Sequence, residues 1–141
     1  MEEPLEILVV EPKKVNRLAA QKACPEGVIL IFAGNFEEAM EEAEKTYSTY
    51  DRAIFELYLP KEGIVAGWGH IPMCGAMEKR IPSLLFTEKK EWGKARAYTD
   101  PLFYRFTPDR YQLETPRKFD ADAWKQVFDY LLNNRQALEE N

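Results

Sequence analysis

The stretch YDRAIFELYLPKEG, residues 50–63, carries the reading on which the fold turns. Its core, RAIFEL (52–57), is a short apolar run bounded by Asp51 on one side and Pro60 on the other. A run of this length with no polar alternation predicts a strand covered on both faces, as in a parallel sheet sandwiched between helices. The run ends on an acid, Glu56. A carboxylate at the end of a buried strand is a working group at a site, a remnant of one, or a polar residue returning to solvent.

Working outward, three more runs have the same character: EILVVE (6–11), VILIF (28–32) and SLLFT (83–87). Helical patterns fall between them. PKKVNRLAAQKA places Val15, Leu18 and Ala19 at helical spacing, with Pro12 suited to a first turn. NFEEAMEEAEK offers Asn35 as a cap with Glu38 three residues on, and Phe36, Ala39, Met40 and Ala43 as its apolar stripe. GIVAGWGHIPMCGAMEKRIP carries four glycines and Pro72, which predicts a broken or short helix. FDADAWKQVFDYLLNNRQALEE is the clearest helix, with Asp120 as N-cap and Trp124, Val127, Phe128, Leu131 and Leu132 on one face; its acidic tail opposes the helix dipole. Strand–helix alternation with strands buried on both faces predicts an α/β fold with a mainly parallel sheet, spanning residues 1–141 as one domain. Sites in such sheets form beyond the carboxyl ends of the strands, where Glu11, Glu56 and Thr87 fall.

Composition narrows the function. A net charge of -5 supplies no excess of cations to neutralise phosphates, which disfavours a nucleic-acid or anionic-membrane surface. No apolar run reaches the roughly 20 residues of a spanning helix, and the acidic start is unlike a signal peptide, so a cytoplasmic setting is expected. Two cysteines, Cys24 at a predicted helix end and Cys74 in a predicted irregular segment, make neither a disulfide framework nor a metal cluster. His70, the single histidine, has no recognisable nucleophile beside it, and no phosphate-loop spacing occurs. Trp68, Ile71 and Met73 are candidates for a contact surface.

The arrangement resembles the receiver domain of two-component response regulators. ILVVEP is similar to that family's first strand, which ends in two acids that hold Mg²⁺; Glu11 stands at the first acid position and Pro12 replaces the second. YDRAIFELYLPKEG is similar to the third strand and its loop, with Glu56 where the family has its phosphorylated aspartate. IPSLLFTE is similar to the fourth strand, with Thr87 at the hydroxyl position and Glu88 in place of a small residue. The family's Lys-Pro pair and following Phe can be laid on YQLETPRKFDADAW in two ways. Aligning Pro116 puts Thr115 at the lysine position; aligning Phe119 puts Arg117 there and Lys118 at the proline.

The resemblance implies a flavodoxin-like three-layer sandwich with five strands. It also implies a degenerate phosphoacceptor pocket of Glu11, Glu56 and Thr87, no catalytic residue and no resident cofactor. The reading that follows is a divergent, pseudo-receiver module for protein interaction, independent of phosphorylation, whose Glu56 either has no task or mimics a phosphorylated charge. A second reading is a functional receiver holding Mg²⁺ through Glu11, Glu56 and the Tyr58 carbonyl, phosphorylated at an atypical site. A third is a small-molecule or metal-binding α/β protein using the two glutamates.

The expected partner is another protein, and a homodimer is compatible with the sequence. Phe103, Tyr104, Arg105, Phe106, Arg110 and Tyr111 form the candidate partner surface, because interleaved aromatics and arginines suit protein hot spots. The same chemistry suits stacking on bases, which the acidic whole disfavours.

Overall fold

The computed structural model describes residues 3–46, 49–56, 58–61, 64–66, 69–87 and 118–133. In chain order the described elements are β1 (Leu5–Val10), α1 (Lys14–Ala23), β2 (Val28–Ala33), α2 (Phe36–Glu44), β3 (Arg52–Phe55), β4 (Leu59–Lys61), β5 (Ile64–Ala66), α3 (His70–Glu78), β6 (Ser83–Leu85) and α4 (Ala121–Asn133). β1, β2, β3 and β6 form one parallel sheet in the order β2-β1-β3-β6. The predicted fifth strand lies outside the described residues.

Alternation along the strands builds the two faces of the sandwich. Ile7, Val9, Ile54 and Leu84 point to one side, where they pack with Ala19, Ala20 and Ala23 of α1 and Trp124, Val127, Phe128 and Leu131 of α4. Leu8, Val10, Ala53, Phe55 and Leu85 point to the other, against Ala39 of α2 and Met73 and Ala76 of α3. Each buried strand therefore spends both faces on the core, which is why its sequence shows no polar alternation. The α/β, flavodoxin-like class expected from the sequence is the one observed.

Helix ends follow local chemistry. Asn35 Oδ1 accepts from Glu38 N at 2.8 Å and caps α2. Glu38 Oε1 accepts from Gly34 N at 2.7 Å, one residue earlier than the reciprocal bond of a standard capping box. α4 begins with Asp120 Oδ1 accepting from Asp122 N at 2.9 Å. α3 stops in a Schellman-type turn, where Ile81 N donates to Ala76 O at 3.1 Å and Arg80 takes φ 61, a place usually filled by glycine.

Several local expectations need correction. Val15 and Leu18 are 56% and 54% exposed; the buried face of α1 is Asn16, Ala19, Ala20 and Ala23. Small residues there let α1 sit close beside α4, and Asn16 is drawn inward by the carboxylate of Glu11. α1 starts at Lys14, so Pro12 precedes the helix. Cys74 lies inside α3, and Met73 is fully buried and offers no surface contact. The short antiparallel pair β4–β5 joins the loop after β3 to the start of the glycine-containing segment, where the sequence pattern gives no strand.

Candidate functional site: a lysine clasped by two glutamates

At the carboxyl ends of the parallel strands, β1 delivers Glu11 and β3 delivers Glu56, each one residue beyond its strand. Backbone bonds fix both: Glu11 N donates to Ala33 O at 2.9 Å, and Glu56 N to Val10 O at 3.0 Å. β6 ends beside them, and Phe86 N donates to Phe55 O at 2.8 Å. Thr87, the next residue, is buried. All three residues expected from the sequence thus lie at the same edge, at or just past strand ends.

Between the two carboxylates lies a group the sequence reading did not assign to the pocket. Lys118 Nζ is in ion-pair contact with Glu11 Oε1, lies 3.2 Å from Glu56 Oε1 and donates to Phe86 O at 2.7 Å. The ammonium thus makes two hydrogen bonds, to Glu56 Oε1 and Phe86 O, and a close ion pair with Glu11 Oε1. Its side chain and that of Glu11 are each 1% exposed, and that of Glu56 is 10% exposed. The Phe86 and Trp124 rings lie 5.0 and 5.6 Å from the ammonium, an added cation–π setting. Trp124 Nε1 donates to Lys118 O at 2.6 Å, so both ends of the lysine are held.

The far oxygens of both acids are also engaged. Glu11 Oε2 accepts from Lys13 N at 3.0 Å and Asn16 Nδ2 at 3.2 Å, and Glu56 Oε2 accepts from Tyr58 N at 3.3 Å. Arg17 Nη1 closes the turn above by donating to Glu11 O and Pro12 O at 2.9 and 2.8 Å. Thr115 and Arg117, the two residues that sequence alignment offered for the lysine position, lie outside the described residues. The lysine that reaches the pocket is Lys118, which the second alignment had placed at the proline. The signal that could have found it is its place two residues before the Asp120 cap of α4.

The residues do not fit a divalent cation well. Pro12 supplies no second acid, and the two acids that remain already bind an ammonium between them. Mg²⁺ requires near-octahedral oxygen ligation and sheds its own water reluctantly. It would have to displace Lys118 from a buried, three-fold contact. The Tyr58 carbonyl, the remaining candidate ligand, is a neutral oxygen and does not replace the missing carboxylate.

Phe103, Tyr104, Arg105, Phe106, Arg110 and Tyr111, the candidate partner surface, lie outside the described residues, as do Trp68 and Glu88. The His70 side chain is likewise not described. Among the described residues, no helix is long and apolar enough to cross a membrane.

The described residues form a receiver-like α/β fold with an ion cluster at the ends of its parallel strands. A solved structure titled "Structure of the bacteriophytochrome response regulator AtBRR" is similar to this chain with a TM-score of 0.53 and 19% sequence identity, covering 69% of this chain and 76% of that one. At that identity the likeness is one of fold. No protein-family model matches the sequence, and no curated protein matches it.

Proposed function

We propose that the chain is a receiver-like signalling module that acts by binding another protein, without phosphorylation at Glu56. The observation that carries this reading is the buried Lys118 ammonium held by Glu11, Glu56 and Phe86 O. Two carboxylates and one ammonium leave a single negative charge. A pocket with a further acid in place of Pro12 would carry two, and would attract a divalent cation more strongly. Phosphoryl transfer depends on a metal to neutralise the incoming group and on an acceptor placed in line. Here the metal is disfavoured, and the acceptor position is a glutamate whose two oxygens both have protein partners.

One observation favours the second reading, a working receiver. A lysine reaching the acceptor acid and a buried hydroxyl residue, Thr87, are groups that a bound phosphoryl would use. The test separates the two. Mg²⁺ is titrated with and without beryllofluoride, an acyl-phosphate mimic, while tryptophan fluorescence is followed beside an ordinary receiver as control; Trp124 reports directly through its bond to Lys118 O. A flat response where the control responds is the expected result. A saturable response abolished by Glu56→Ala overturns the proposal in favour of a working phosphoacceptor pocket.

A further inference from the structure

β2 is the outer strand of the sheet among the described residues, and its outer edge has an unusual layout. Leu5 N donates to Gly27 O and Glu11 N to Ala33 O, which places the odd-numbered backbone groups of β2 toward β1. The N–H and C=O of Val28, Leu30 and Phe32 therefore face away from the sheet. Val28 is already satisfied at both: its N–H donates to Pro25 O at 3.2 Å, and its C=O accepts from Cys24 Sγ at 3.2 Å. Past the other end of the strand, Gly34 N is held by Glu38 Oε1. Among the described residues the edge is closed at both ends by the chain's own groups and open over two residues, Leu30 and Phe32.

Within the strand itself no charged residue or proline occurs, although Arg17 and Glu38 flank its Phe32 end. The strand reads VILIFA, and Ile29 is 47% exposed. Exposed apolar edges of this kind are templates for strand addition. The open groups are two N–H and two C=O, and they are self-complementary. Pairing two copies antiparallel with Ile31 on the two-fold axis sets Leu30 against the partner's Phe32, and Phe32 against the partner's Leu30. That register uses all four open groups on each copy and none that is already bound. A register with Leu30 on the axis would call on Val28, and one with Phe32 on the axis would call on Gly34; both are taken.

We propose that β2 is a homodimer edge, joining the parallel sheets of two copies into one through an antiparallel β2–β2 seam. The side chains agree with it. Leu30 meets an aromatic ring across the seam on one face, while Ile29, Ile31 and Ala33 line the other without a charge. An isologous contact of this kind closes at two copies and does not propagate. The proposal does not depend on the pocket, and the fluoride titration above leaves it untouched.

The test measures sedimentation of the full chain over a concentration series, together with residue-resolved amide exchange at its two ends. A dimer should form as concentration rises, with the Leu30 and Phe32 amides exchanging at least about tenfold more slowly in it. The Ile29 and Ile31 amides, which face β1, should be protected throughout. Ile29→Lys should return the chain to a monomer with its far-ultraviolet spectrum unchanged; if that variant does not fold, the exchange pattern of the native chain decides alone. A monomer at every concentration up to millimolar overturns the proposal, even if an added extended peptide protects Leu30 and Phe32. So does a dimer in which those two amides exchange freely, or their protection at low concentration in the monomer.

Discussion

Replacing Lys118 by methionine tests whether the buried ammonium is what holds the strand ends together. The substitution keeps an unbranched stem of similar length, so the space beside Phe86 and Trp124 stays filled while the charge and its cation–π contacts with both rings disappear. Deleting one partner of a buried ion pair costs about 3–5 kcal/mol, because the other charge is stranded. Here two carboxylates lose the same partner, and Phe86 O loses a donor worth about 1 kcal/mol. Against this, each acid keeps a protein donor on its far oxygen, and the slight exposure of Glu56 lets water offset part of its loss. The expected destabilisation is about 4 kcal/mol, the middle of the range. That is a large share of the roughly 5–15 kcal/mol that holds a domain folded. Urea unfolding followed by tryptophan fluorescence measures it. Glu11→Gln should cost more than Glu56→Gln, since Glu11 serves Lys118, Lys13 N and Asn16 Nδ2 from a deeper position. A loss under about 1 kcal/mol for Lys118→Met, the range of an exposed pair, would refute the clasp as described. The reverse order of the two glutamates would refute the account of which acid anchors it.

Other consequences concern the scaffold. Asn35→Ala removes the acceptor for Glu38 N and should cost about 1 kcal/mol in urea unfolding, whereas Asn35→Asp should be nearly neutral. A Cβ at Gly75 would lie 3.1 Å from the Cβ of Ala43, so Gly75→Leu should wedge α3 from α2 and lose about 1–3 kcal/mol in the same assay. Burial pushes the Cys24 thiol above its ordinary value, so its thiolate is scarcer at any given pH. Iodoacetamide should therefore label folded Cys24 more slowly than the urea-unfolded chain between pH 7 and 9. The sign for stability follows: the unfolded chain loses this proton first, so the contribution of Cys24 is intact below the ordinary thiol pKa and declines as pH rises through it.

The parts of the fold legible in the sequence are those where one local rule and the tertiary structure demand the same residue. ILVV, RAIF and SLL read as two-face-buried strands because their apolar residues meet core on one side or the other, while Arg52 and Ser83 are buried as well. Asn35 and Asp120 read as caps because a cap is satisfied within four residues of itself. Glu11, Glu56 and Thr87 could be placed together because strand ends in a parallel sheet share an edge. α1 was legible as a helix but not in its orientation. Apolar spacing points to Val15 and Leu18, while the face that turns inward is set by Asn16 reaching Glu11 and by alanines that let α1 approach α4.

Lys118 was misplaced for a different reason. Aligning a short motif assumes that the chain arrives at the site with a fixed count of residues from the nearest landmark, and Phe119 and Pro116 give different counts. What selects the lysine is long-range: the Glu11–Glu56 pair is built from strands far away in sequence, and Lys118 is pinned at its own carbonyl by Trp124 Nε1 while its side chain enters between the acids. This also answers what an acid is doing at the end of β3. Glu56 is not a polar residue drifting back to solvent, since its carboxylate is spent on Lys118 and on Tyr58 N. It closes an internal ion cluster that ties β1, β3, the end of β6 and the approach to α4 to one another. A cluster arranged this way holds its shape with a cation of its own, so any ligand that is to bind between Glu11 and Glu56 must displace that lysine.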